Sequence, residues 1–260
     1  MLSWLIICWL IPEVSATPGV YKAYIISVAT PPYLHMKSVR QQIPLVQHVP
    51  ATTQINLSNT PLHAQYLMDF GRGSHLEISN KQMIACFLSH LHTWHLVNET
   101  SLILEEDAYL DNDFQTKCSQ LLQSITGPWD VIMLQARKSL ISHGRKGNAG
   151  PYAFQCKHKC TWSGTLGYLV SPNGAKKLIR NMEPITLQVD AYISLLNMYR
   201  SDFNMLWSSQ PLVHQKFFYV TKIWDFCLKC YVPENPLLIL LPFTFLLITI
   251  IISSKIFQSK

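Results

Sequence analysis

Three consecutive carboxylates, Glu105, Glu106 and Asp107, close the apolar run Leu102-Ile103-Leu104 in the stretch SLILEEDAYL. If the run enters a sheet, the acids emerge together at its carboxyl end, where open α/β sheets keep their ligands. Hard oxygen donors grouped in this way suit magnesium or manganese, and a cation held by them can neutralise negative charge building on a leaving group. A solvated strand end is the structural alternative. Upstream, His90, His92 and His95 lie in MIACFLSHLHTWHLV. Neither His92 nor His95 has the i, i+4 metal spacing with His90, which excludes a zinc helix built from these histidines.

The elements that must position the acids are legible on both sides of them. VYKAYIISVA from Val20 reads as a first strand closed by Pro31-Pro32, followed by a helix over 35–42 and a second strand over 44–49. The segment 51–80 is polar and turn-rich, a loop with one short helix over 62–68. Met83 to Val97 has helical periodicity, with Ile84, Phe87, Leu88, Leu91 and Trp94 on one side. The strand SLIL follows, then a polar helix between Asp113 and Ser124, the strand WDVIMLQ, and a loop rich in Gly, Lys and Cys. TWSGTLGYLVS is a further strand, SPNGAKKLIRNM a helix capped by Ser171, Gln188 to Tyr199 another helix, and FNMLWSSQPLVHQ a strand and then a loop. Strands alternating with helices predict an α/β fold with a mainly parallel sheet.

Six blocks in order, KQMIACFLSHLHTW, LILEEDAYL, WDVIMLQ, GTLGYLVSPNGAKKLI, QVDAYISLL and SSQPLVHQ, cover Lys81 to Gln215. Together they resemble glycosyltransferase family 25, which includes bacterial lipooligosaccharide galactosyltransferases and procollagen galactosyltransferases. The resemblance implies a GT-A-like architecture, a Rossmann-type mainly parallel sheet flanked by helices. It also implies metal-assisted, inverting transfer of a hexose, galactose foremost, from a UDP-sugar to a glycan or protein hydroxyl. Glu105, Glu106 and Asp107 occupy the family's acidic motif, with Glu106 where Asp is more usual. By this resemblance Asp107 and Glu106 hold Mn2+ or Mg2+, while Ser89, His90 and Glu105 face the nucleotide. Asp190 is the candidate base that takes the acceptor proton, with a helix N-cap as the alternative role. Family members commonly begin with a strand ending Ile-Asn-Leu and an Asp-Arg pair, whereas this chain has Ile25-Ile26-Ser27 and then PPYLHMKSVR. A fold that has kept its shape as a membrane-anchored binding protein without turnover is the second reading.

The ends bound the compartment. Residues 235–254, NPLLILLPFTFLLITIIISS, carry no charge over a length that as a helix spans about 30 Å, and Lys255 and Lys260 follow. This predicts a C-terminal transmembrane helix with a short cytoplasmic tail over 255–260. LSWLIICWLI with Val14-Ser15-Ala16 reads as a secretory signal over 1–16. The domain over 17–233 is therefore expected on the lumenal or extracellular side of a single-pass membrane protein. Six cysteines follow the signal, permitting 15 pairings, with Cys156 and Cys160 close enough to pair in one loop. Asn56 and Asn98 are glycosylation acceptors in that compartment. The net charge of +6 is spread out, with no basic run interleaved with aromatics, which argues against nucleic-acid binding.

Overall fold

The computed structural model describes residues 20, 22–28, 36–53, 78, 81–135, 145–156 and 164–215. All of them lie in a unit that runs to Tyr219, and a second unit, Val220–Lys260, lies outside them. Also outside are the signal over 1–16, the short helix over 62–68, Asn56, Cys160 and the apolar run 235–254. Among the described residues, no helix is long and apolar enough to cross a membrane.

The elements are β1 (Lys22–Ser27), α1 (Met36–Gln42), β2 (Leu45–Pro50), α2 (Lys81–Leu96), β3 (Ser101–Glu105), β4 (Ala108–Leu110), α3 (Phe114–Ser124) and β5 (Val131–Met133). After them come β6 (Arg145–Gly150), β7 (Ala153–Cys156), β8 (Gly167–Val170), α4 (Pro172–Arg180), α5 (Val189–Tyr199), β9 (Met205–Ser208) and β10 (Val213–Gln215). Eight strands form one sheet in the order β2-β1-β3-β8-β5-β9-β7-β6, while β4 and β10 form a separate antiparallel pair.

The sheet is mainly parallel, as the alternation of elements predicts. β2, β1, β3, β5, β9 and β6 share one direction, and β8 and β7 run against it. The reversal of β8 places the turn before it at the same edge as the ends of β1 and β3, since Leu104 pairs with Gly167. Two features differ from the sequence expectation. The loop rich in Gly and Lys contains the hairpin β6–β7, whose strands lack the apolar alternation by which a strand is read. The end read as a loop after β9 contains β10, which pairs with β4 directly behind the acids.

Alternation along β3 divides its side chains between two layers. Leu102 and Leu104 join Ile25, Ile132, Leu169 and Leu206 in a core shared with Val39 of α1 and Phe114 and Leu121 of α3. On α2, which packs on α4 and α5, Phe87 meets Trp94 edge-on at 5.8 Å and Tyr192 of α5 at 5.3 Å. Truncating buried Phe87 or Trp94 to alanine would cost about 3 to 5 kcal/mol.

The amino ends of the strands are tied by polar contacts. Ser171 caps α4, its hydroxyl accepting from the Gly174 amide at 2.9 Å, as the sequence predicts. Asp130, only 2% exposed, accepts from Lys177 Nζ and the Asn204 amide, each at 2.8 Å, and so joins β5, α4 and the entry to β9. Removing one partner of such a buried pair costs about 3 to 5 kcal/mol, because the other charge is left uncompensated. This knot stands at the opposite sheet edge from the acids. It stabilises the scaffold without touching the site.

Candidate active site

Glu105 ends β3, one residue beyond the last wholly buried position of the strand. The Thr165 hydroxyl donates to its Oε1 at 2.6 Å, and its own amide donates to the Leu166 carbonyl at 3.0 Å. His90 Nε2 lies 3.4 Å from the same Oε1, and among the described residues this nitrogen has no partner at good hydrogen-bond geometry. Burial pushes the Glu105 carboxyl up; the His90 ring and then Thr165 more than offset it, holding the group below its ordinary value.

Glu106 turns toward the first strand. Its Oε2 accepts from the Ser27 hydroxyl at 2.9 Å and from the Val28 amide at 3.1 Å, clamping the carboxyl end of β1. Asp107 is 4% exposed, and its Oδ2 accepts from Gln215 Nε2 at 2.7 Å. Burial first, and then the nearby Glu105 charge, push its carboxyl up to about 6. The bonds to Ser27, Val28 and Gln215 do not involve Oε1 of Glu106 or Oδ1 of Asp107. Behind the acids, Tyr109 stacks on His214 across β4 and β10 at 5.2 Å, and His214 Nε2 meets Asp111 Oδ1 at 2.6 Å.

Asp190 lies in the first turn of α5, whose N-cap position belongs to Gln188. Its Oδ1 accepts from the Ala191 amide at 2.8 Å and its Oδ2 from the Gly164 amide at 2.7 Å. The carboxyl thus serves the helix start and reaches across to the turn before β8. Burial raises it above the usual carboxylate value against the pull of those two amides, and Glu105 adds to the rise. Glu105 therefore shares one electrostatic neighbourhood with both Asp107 and Asp190. Gly164 and Thr165 are adjacent and bond Asp190 and Glu105 respectively.

Ser89 and His90 sit side by side on α2 with separate tasks. The Ser89 hydroxyl donates to the Ala85 carbonyl at 2.7 Å and accepts from the Thr52 amide at 2.8 Å, tying the segment after β2 to the helix. His90 is 1% exposed and faces the Glu105 carboxylate, its Nδ1 2.9 Å from the Tyr168 hydroxyl, and that hydroxyl accepts from Trp94 Nε1 at 2.9 Å. The structure thus gathers His90, Glu105, Asp107 and Asp190, turns Glu106 to β1, and uses Ser89 as a tie. Sequence reasoning passes over Thr165, Tyr168, Gln215 and Cys86. Of these only Cys86 carries a local signal, four residues before His90 on the same helix face.

The model of glycosyltransferase family 25 (LPS biosynthesis protein) matches residues 21–193. A glycosyltransferase 25 family member of Aedes aegypti is 29% identical over 189 residues, covering 65% of this chain and 30% of the mosquito protein. Procollagen galactosyltransferase 1-A of Xenopus laevis is 27% identical over 161 residues, 58% of this chain and 26% of the frog protein. Human procollagen galactosyltransferase 2 is 27% identical over 121 residues, 44% of this chain and 19% of its own length. The chain therefore aligns with less than a third of the length of these relatives.

Proposed function

The chain belongs to glycosyltransferase family 25, and from that premise we propose that it transfers a hexose, galactose foremost, from a UDP-sugar to a hydroxyl of a glycan or protein. The observation that carries this reading is the meeting of Glu105, Asp107 and Asp190 at one sheet edge, although up to 85 residues separate them in the chain. Relatives named procollagen galactosyltransferase support galactose and a protein hydroxyl as the first substrates to try.

In this reading Asp190 accepts the proton of the acceptor hydroxyl. The freed oxygen attacks the anomeric carbon, the bond from that carbon to the diphosphate oxygen breaks, and the configuration inverts. A base works best when its pKa approaches the working pH, and burial moves Asp190 in that direction. Glu106 and Asp107 would hold a Mn2+ or Mg2+ ion. Their remaining oxygens are donors of the right hardness, and a cation relieves the repulsion between Asp107 and Glu105. When bound, such an ion supplies positive charge against the departing diphosphate. Thr165 and His90 hold Glu105 in place, and the Glu106 clamp fixes the end of β1 beside them.

The same reading places the domain in the secretory lumen or outside the cell, tethered through residues 235–254, with no part for nucleic acid. Asn98 is exposed in the turn after α2, where a glycan would be accommodated. Glycan at Asn98 together with a C-terminal tag open to protease on sealed microsomes supports the topology; protection of the tag rejects it.

The deciding experiment is release of UDP from UDP-galactose by the purified full-length chain, with collagen peptide or free galactosides as acceptors, with and without Mn2+. Metal-dependent release is expected. A binding protein without turnover is the second reading, favoured by the engagement of Glu106 with Ser27 and Val28. Binding of UDP-sugar with no release from any common donor would establish that second reading instead.

A further inference from the structure

Cys86 and His90 stand four residues apart on α2, so both side chains project from one face of the helix, a turn apart. β3 brings Glu105 to that face. The Cys86 sulfur, a ring nitrogen of His90 and a carboxylate oxygen of Glu105 all lie within 4.8 Å of one another. The separation of His90 Nε2 from Glu105 Oε1, 3.4 Å, is close to the roughly 3.3 Å between nitrogen and oxygen ligands on a tetrahedral zinc ion.

A second observation points into the same space. His90 is 1% exposed, and its Nε2 has no hydrogen-bond partner among the described residues. Its Nδ1 meets the Tyr168 hydroxyl, itself fixed by the Trp94 indole. An imidazole anchored through one nitrogen and presenting the other to a carboxylate, with a thiol beside the ring, has the arrangement of a metal-ligating histidine with its outer partner.

We propose that Cys86, His90 and Glu105 bind a divalent cation of the zinc class, at a site distinct from the oxygen donors Glu106 and Asp107. Sulfur and imidazole ligands select borderline-soft metals over magnesium and manganese. Three protein ligands leave a fourth position for water on the side of Glu105, whose side chain is 28% exposed. On binding, the sulfur–metal bond forms as the thiol proton leaves to solvent. Because binding releases that proton, affinity rises with pH. The site does not depend on sugar transfer.

The test uses the full-length chain with the C-x-x-C pair Cys227 and Cys230, a competing thiol site in the sequence, changed to serine, stripped by chelator and titrated with Co2+ as a spectroscopic substitute for Zn2+. One Co2+ per chain should give a thiolate-to-cobalt band in the near ultraviolet and the intense visible bands of a tetrahedral site. Zn2+ should displace it and excess Mg2+ should not. Cys86→Ser should abolish the near-ultraviolet band, and Tyr168→Phe should weaken binding roughly ten- to a hundredfold through the outer partner. Should Cys86→Ser fail to fold, His90→Gln keeps the thiol and must still lose the tetrahedral spectrum. Absence of the band, or its survival in Cys86→Ser or His90→Gln, overturns the proposal.

Discussion

The main-chain amide of Gly164 donates to Oδ2 of Asp190 at 2.7 Å from a backbone at φ +100°. That conformation is open to glycine and costly for other residues. A Cβ at Gly164 would find Gln135 Oε1 at 3.5 Å, an ordinary contact, so the cost of Gly164→Ala is confined to the backbone. Stability should fall by about 1 to 2 kcal/mol in chemical denaturation. If the turn relaxes instead, Thr165 withdraws from Glu105 and UDP release falls with little change in melting. An alanine variant equal to the parent in both measurements would remove this turn from the site.

Glu106→Asp would install the residue more usual in the family, yet the geometry predicts a loss. The longer arm reaches both the Ser27 hydroxyl and the Val28 amide with one oxygen. A side chain one methylene shorter cannot keep both without moving β1 or the turn at the acids. Each charge-assisted bond contributes about 1.5 to 3 kcal/mol. Ser27→Ala should overlap with Glu106→Asp, so the double variant loses less than the sum in a double-mutant cycle. Strict additivity would show that the clamp is not formed in solution.

How much of this was legible beforehand follows from where each signal resides. The helix face with Ile84, Phe87, Leu88, Leu91 and Trp94 is written in one local periodicity, and all five are buried. β3 and its acids are equally local, as is the Ser171 cap. Glu105 could be placed at a strand end from neighbouring residues alone, but its partners Thr165 and His90 come from 60 residues downstream and 15 upstream. The reversed direction of β8 leaves no mark on GYLV, which is buried at every position and reads the same either way. Asp107 is expected at a cleft, as acids at strand ends usually are. β10 covers it, because Gln215 pairs opposite Ala108, and a three-residue strand carries too little pattern to be seen.

The buried pair Trp94 and Tyr168 makes a prediction separable from metal binding. Tyr168→Phe preserves the ring and removes the oxygen that serves both Trp94 Nε1 and His90 Nδ1. Each buried polar group left without a partner costs about 1 to 3 kcal/mol. Metal-free unfolding should show this loss in Tyr168→Phe. A variant as stable as the parent under chelator would mean that water replaces the hydroxyl.

Asp107→Asn separates stability from catalysis most sharply. Burial, then Glu105, raise the Asp107 carboxyl from 3.8 to about 6. A folded pKa above the unfolded one means that the native chain keeps a proton that the unfolded chain has released. The stability this contributes is fully present below about pH 4 and is lost as pH rises through about 6. By pH 7 the loss is about 3 kcal/mol for the metal-free chain. Asparagine cannot ionise, and its carbonyl can still accept from Gln215 Nε2, so the variant should show none of that decline and be the more stable protein at neutral pH. Under the metal assignment proposed above, Mn2+ should narrow the gap by binding the native carboxylate and stabilising by linkage. Transfer should fall on the order of a thousandfold, the effect of removing several kcal/mol of transition-state stabilisation. Urea unfolding under chelator between about pH 4 and 7 measures the first effect, and UDP release the second. Parallel pH profiles for variant and parent would place the buried proton elsewhere, and undiminished metal-dependent transfer would remove Asp107 from the metal site.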